Sequence, residues 1–65
     1  MNRTLEELDL SNNKINIIEP EIKDLLKLKV LNLENNNLTD LPEEIAHIPF
    51  LNIIRLKGNP LSSQF

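Results

Sequence analysis

One eleven-residue segment occurs three times in this chain at a constant spacing of 23 residues: LEELDLSNNKI from Leu5, LKVLNLENNNL from Leu28 and LNIIRLKGNPL from Leu51. All three obey L-x-x-[LI]-x-L-x-x-N-x-[LI], so fifteen positions agree without a gap. A period of this length, kept in register across a whole chain, is the mark of stacked units that cannot bury their apolar faces alone. With 65 residues the chain is one domain at most, and the fraction of surface so short a chain can bury makes an isolated core marginal. Almost all of its apolar residues are Leu or Ile, with no Trp or Tyr, so its core must be aliphatic.

The residue order within the segment says how the units stack. In x-L-x-L, apolar and polar side chains alternate as on a strand with one buried face. Strands are predicted near 7 to 10, 30 to 33 and 53 to 56, side by side in a parallel sheet. Leu8, Leu31 and Ile54 then form one inward column, and Leu10, Leu33 and Leu56 another. After each strand the chain must turn, and a turn facing the core leaves backbone groups without water. An Asn side chain carries both an acceptor and donors, so Asn13, Asn36 and Asn59 are expected to bond the backbone of their own and adjacent turns. The neighbouring Asn12 recurs as Asn35 but is replaced by Gly58. It is read here as a free position.

The remaining twelve residues of each period form a return path. LPEEIAHIP places Pro42 at a helix start, Glu43 and Glu44 in the first turn, and Leu41, Ile45 and Ile48 at helical spacing, with Pro49 as the stop. IEPEIKDLL repeats the pattern with Ile18, Ile22 and Leu25, although Pro20 comes one position later than Pro42 in the period. Short helices or helical turns are expected near 20 to 26 and 42 to 48.

On these residues the chain resembles the leucine-rich repeat family, whose consensus is the same eleven-residue segment. The 23-residue period and LPEEI resemble the intracellular, Ras-associated type; extracellular relatives usually have a 24-residue period and cysteine-containing caps, and this chain has no Cys. The resemblance implies an α/β leucine-rich repeat solenoid of three repeats (5–27, 28–50 and 51–65), with a parallel concave sheet and helical turns on the convex side. GNPL in this family commonly marks a last repeat. Gly58 frees the backbone there, and Pro60 removes a donor that a following repeat could use. SSQF is too short for a full cap, though Phe65 could cover part of the open end. The expectation is an uncapped C-terminal piece of a longer solenoid, a minimal unit, or a chain that associates end to end.

For function, the resemblance implies a protein-protein interaction module, a scaffold or adaptor in signalling, with a small GTPase or another signalling protein as partner. The alternatives are a solenoid that self-associates end to end and the recognition part of a larger enzyme. Residues between the inward Leu positions face outward on the sheet, and the candidate partner-binding set is Glu7, Asp9, Val30, Asn32, Glu34, Ile53, Arg55 and Lys57. Val30 and Ile53 would form an apolar centre, and the charged residues would set orientation. Charge is graded along the repeats. Residues 5–27 hold six acidic and three basic side chains, 28–50 hold four and one, and 51–65 hold none and two.

Other chemistry is disfavoured. A net charge of −3 gives no clustered cationic footprint for nucleic acid. No apolar run approaches the roughly 18 to 20 residues of a membrane span, so no membrane role is expected. The first ten residues lack the apolar stretch of a signal peptide, and the chain is expected to be cytoplasmic, with the nucleus also open. The NRT and NLT triplets at Asn2 and Asn37 match glycosylation acceptors, which matter only in a secreted chain. No enzyme is expected: His47 is the single histidine and sits in a convex turn, and Ser11, Ser62 and Ser63 have no base at a recognisable spacing. One Gly cannot make a phosphate loop. Neighbouring carboxylates at Glu6-Glu7 and Glu43-Glu44 diverge, and the oxygens of SNN and ENNN do not amount to a calcium loop. No cofactor or metal is expected.

Overall fold

The computed structural model describes residues 3–62. Asn2, Ser63 and Phe65 lie outside the described residues. Three strands, β1 (Glu7–Asp9), β2 (Val30–Asn32) and β3 (Ile53–Arg55), form one parallel sheet in sequence order. Two 3₁₀ segments, η1 (Pro20–Asp24) and η2 (Glu43–His47), connect them. Strand pairing follows the sequence period at every position: Leu8 stands opposite Leu31 and Leu31 opposite Ile54, and Asp9, Asn32 and Arg55 share a row.

Each strand is one residue shorter than predicted, because the ladder beyond it is kept by turn residues. Leu10 N donates to Asn32 O at 2.8 Å and Leu33 N to Arg55 O at 2.8 Å, and Asn12 N and Asn35 N make the next bonds, to Glu34 O and Lys57 O. The return segments are 3₁₀ turns and not α-helices. Glu19 and Pro42 occupy the same place in the period, each an extended residue just before its turn, so Pro20 is inside η1 while Pro42 precedes η2. Each five-residue turn closes with an i to i−3 bond, Leu25 N to Ile22 O and Ile48 N to Ile45 O. So short a run favours the tighter helix.

Burial shows what the repetition accomplishes. Leu28, Leu31, Leu33 and Leu38 of the middle copy have no exposed surface. Their equivalents Leu5, Leu8, Leu10 and Ile15 on one side, and Leu51, Ile54, Leu56 and Leu61 on the other, are only half-buried. In these four columns the side chain is fully removed from water only with a copy on both flanks; on the return side Ile18 and Ile22 of the first copy are buried and their equivalents Leu41 and Ile45 are half-buried. Ile18, Ile22, Leu25 and Ile48 close the core from the return side. A full Leu burial is worth roughly 1.5–3 kcal/mol, so the middle copy carries most of the hydrophobic stabilisation.

Asn36 and Asn59 bond their own and the preceding turn as expected, and Asn13 bonds its own turn. Asn36, 4% exposed, donates through Nδ2 to the carbonyls of Leu33 at 2.9 Å, Leu10 at 3.0 Å and Glu34 at 3.2 Å, and its Oδ1 accepts from Ile15 N at 3.1 Å. Asn59 repeats this toward Leu56 O, Leu33 O and Leu38 N. Asn13, at the first edge, reaches Leu10 O and Ser11 O.

Two expectations are corrected. Asn12 is not a free position: Asn12 and Asn35 have φ of 58° and 59°, and Gly58 has 83°. All three lie in the left-handed region, which only Gly, Asn and Asp enter at low cost. Asn35 Nδ2 also donates to Asn12 Oδ1 at 3.0 Å, and a Cβ at Gly58 would run into Asn35 Oδ1. The second correction concerns Pro60. Its equivalent Asn37 donates backward to Ile15 O at 2.9 Å, so the donor that Pro60 lacks would have faced Leu38 of the preceding copy, not a following one. Ser62 N ties the strand-exit segment to Thr39 O instead, at 3.2 Å.

Candidate functional site

The sheet face away from the core carries the eight candidate residues. Strand alternation sends Leu8, Leu31 and Ile54 inward and leaves Glu7, Val30 and Ile53 in one outward row and Asp9, Asn32 and Arg55 in the next. The third row, Ser11, Glu34 and Lys57, follows the strand ends. Glu7, Asp9, Arg55 and Lys57 are exposed; Val30, Asn32 and Glu34 are half-buried, and Ile53 is 39% exposed.

A shallow hollow brings together Glu7, Asp9, Val30, Asn32 and Arg55 over the inward Leu8. Glu34, Ile53 and Lys57 do not line it. Val30 and Ile53 stand opposite each other in the register of β2 and β3, with the carboxylates of Glu7 and Asp9 on the β1 side and the cations of Arg55 and Lys57 on the β3 side.

Two of the eight residues also serve the fold. Asp9 Oδ1 accepts from Ser11 N at 2.9 Å and from Ser11 Oγ at 2.6 Å. Asn32 Oδ1 accepts from Glu34 N at 3.0 Å in the same way. Each is an Asx turn that closes the strand exit. The Ser11 hydroxyl, then its amide, hold the Asp9 carboxyl below its ordinary value of 3.8, against a small opposing effect of desolvation. The spacing D-x-S and N-x-E carried that signal in the sequence, but Arg55 breaks the series in the third copy and conceals it. Sequence reasoning also missed Lys29, whose Nζ sits 3.2 Å from Glu6 Oε1 beside Phe50, itself 65% exposed. Both partners of that ion pair are well exposed, so it contributes little to stability.

Among the described residues no three of His, Cys, Asp or Glu gather to hold a metal ion. His47 lies exposed on η2, remote in the fold from the sheet face. No helix among the described residues is long and apolar enough to cross a membrane.

A parallel sheet made of one repeated segment defines a repeat protein. The leucine-rich repeat family model matches residues 3–61, and the chain belongs to that family. Domains of this family generally mediate protein-protein interaction and are typically not enzymes. No curated protein matches the chain significantly.

Proposed function

We propose that the chain binds a protein partner through the outward sheet face, the concave side of a three-repeat solenoid with units 5–27, 28–50 and 51–65. The observation that carries this reading is the Val30–Ile53 pair, opposite in register and set between Glu7 and Asp9 on one side and Arg55 and Lys57 on the other. Asn13, Asn36 and Asn59 are committed to backbone, whereas Glu7, Val30, Ile53, Arg55 and Lys57 show no such commitment among the described residues. An apolar centre gives contact area, and graded charge gives orientation and on-rate.

The finer placement rests on resemblance. The period, LPEEI and the absence of Cys favour an intracellular scaffold or adaptor of the Ras-associated type, in cytoplasm or nucleus. EPEI, LNLENNNLTDLPEEI and LKGNPL together look like the closing repeats of leucine-rich repeat-containing protein 40. A small GTPase is one partner class this implies, and no residue of the face selects it.

The test is the triple substitution Val30→Ser, Ile53→Ser and Arg55→Glu, with the fold checked by circular dichroism. Affinity for a partner isolated with the wild-type chain is expected to fall at least tenfold, because a few central residues carry most of an interface's energy. Unchanged affinity in a folded variant removes the sheet face from the account.

A further inference from the structure

We propose that the chain carries a second recognition site on the rim where it enters its strands, and that the ligand is an acidic peptide segment in which a carboxylate stands next to an apolar side chain. The site lies outside the sheet face and does not depend on partner binding there.

The period brings the rim together. Glu6 O accepts from Lys29 N at 2.8 Å and from Val30 N at 3.1 Å, and Lys29 O accepts in the same way from Asn52 N at 2.8 Å and Ile53 N at 3.0 Å. These bonds hold Glu6, Lys29 and Asn52 in one row. Thr4, Lys27 and Phe50, two residues earlier in each copy, share the next place in the period. Glu6, Lys27, Lys29 and Phe50 line a hollow there.

Packing does not account for the apolar part of this rim. Phe50 is 65% exposed, and Leu26, next to Lys27 in the chain, is 50% exposed. Neither belongs to the core or to the apolar residues packed against it. The exposure is also independent of where the copies stop. Leu26 and Lys27 lie in the middle of the stack, with Arg3 and Thr4 as their equivalents on one flank and Pro49 and Phe50 on the other, and both are exposed. Leu28, one residue further on, has no exposed surface. A neighbouring copy therefore covers the inward columns and leaves the rim open.

Charge selects the ligand. The equivalent segments 3–6, 26–29 and 49–52 hold three basic side chains and one acidic, whereas the rest of the chain holds four basic and nine acidic. Lys29 Nζ is engaged with Glu6 Oε1 at 3.2 Å, and Lys27 forms no ion pair among the described residues. The hollow thus offers one uncommitted ammonium and an exposed ring. A carboxylate is met by Lys27, and an adjacent apolar side chain by Phe50 and the methylene stems of the two lysines. Two lysines are too few for a polyanion such as nucleic acid or an acidic lipid surface, and the acidic remainder of the chain repels both.

The test follows the amide chemical shifts of the 65-residue chain during titration with a capped hexapeptide of alternating Asp and Leu. The largest changes are expected at residues 26–29 and 50–52. Lys27→Glu and Phe50→Ser, both at exposed positions, are each expected to weaken binding about tenfold, with the remaining resonances in their wild-type places as the check on folding. A matching hexapeptide of Lys and Leu is expected to leave the wild-type rim unmoved and to shift it in Lys27→Glu, a gain that misfolding could not produce. The chain carrying Val30→Ser, Ile53→Ser and Arg55→Glu is expected to bind the acidic peptide as the wild type does, which separates failure of this site from failure of the sheet face. Equal rim shifts with the Lys and Leu peptide or with phosphatidylserine vesicles, shifts centred on the sheet face, or undiminished binding by Phe50→Ser would each overturn the proposal.

Discussion

At the scale of the residue, the two asparagines that adjoin in each turn have different duties. Asn36 satisfies three carbonyls and one amide in a site closed to water. Removing it leaves buried groups unpaired, so Asn36→Ala is expected to cost about 3 kcal/mol in urea unfolding, against about 1 kcal/mol for the exposed Asn13→Ala. Asn12 and Asn35 are held by backbone conformation instead. Asn12→Ala is expected to cost about 1 kcal/mol and Asn12→Gly only a few tenths, which separates a φ requirement from a hydrogen-bond requirement. Asp9 links local structure to pH. Its carboxyl is depressed in the folded chain, so its contribution is present above the unfolded value of 3.8 and is lost as pH falls through the lower folded value. The Ser11 amide resonance is expected to titrate with a midpoint below 3.8, moving up toward it in Ser11→Ala.

At the scale of the element, the cost of a cavity follows position in the stack and not residue type. Leu31→Ala, at the one fully buried position of the middle strand, is expected to lose about 3–4 kcal/mol, whereas Leu8→Ala at the half-buried edge loses about 1–2 kcal/mol. Equal losses would mean that the edge strands are covered in solution. The inward columns, the strand register and the Asn13–Asn36–Asn59 series were legible in the sequence, because a fixed period carries a residue's environment from one copy to the next. The form of η1 and η2 was not, since five residues are too few to separate a 3.0 from a 3.6 period. Positive φ at positions 12, 35 and 58 was hidden because Asn, Asn and Gly read as loss of a side chain when they are one conformational class. The Asx turns at Asp9 and Asn32 were hidden by Arg55, which occupies the third place without a side-chain acceptor.

At the scale of the whole molecule, the described residues hold repeated inward positions and varied outward ones. The inward positions recur every 23 residues and are engaged in packing or backbone bonds, and the outward positions change sign from Glu7 and Asp9 through Val30 and Asn32 to Ile53, Arg55 and Lys57. Strand alternation alone put Glu7, Asp9, Val30, Asn32, Ile53 and Arg55 on one face, whereas Glu34 and Lys57 lie beyond the strand ends. The Val30–Ile53 pair with a hollow beside it required the register. The most direct measurement is the amide chemical-shift footprint of the chain with a bound protein partner. The account predicts perturbations concentrated at Glu7–Asp9, Val30–Asn32 and Ile53–Arg55, with Pro20–Asp24 and Glu43–His47 little changed. A footprint centred on those two return turns, with the sheet face unmoved, would contradict it.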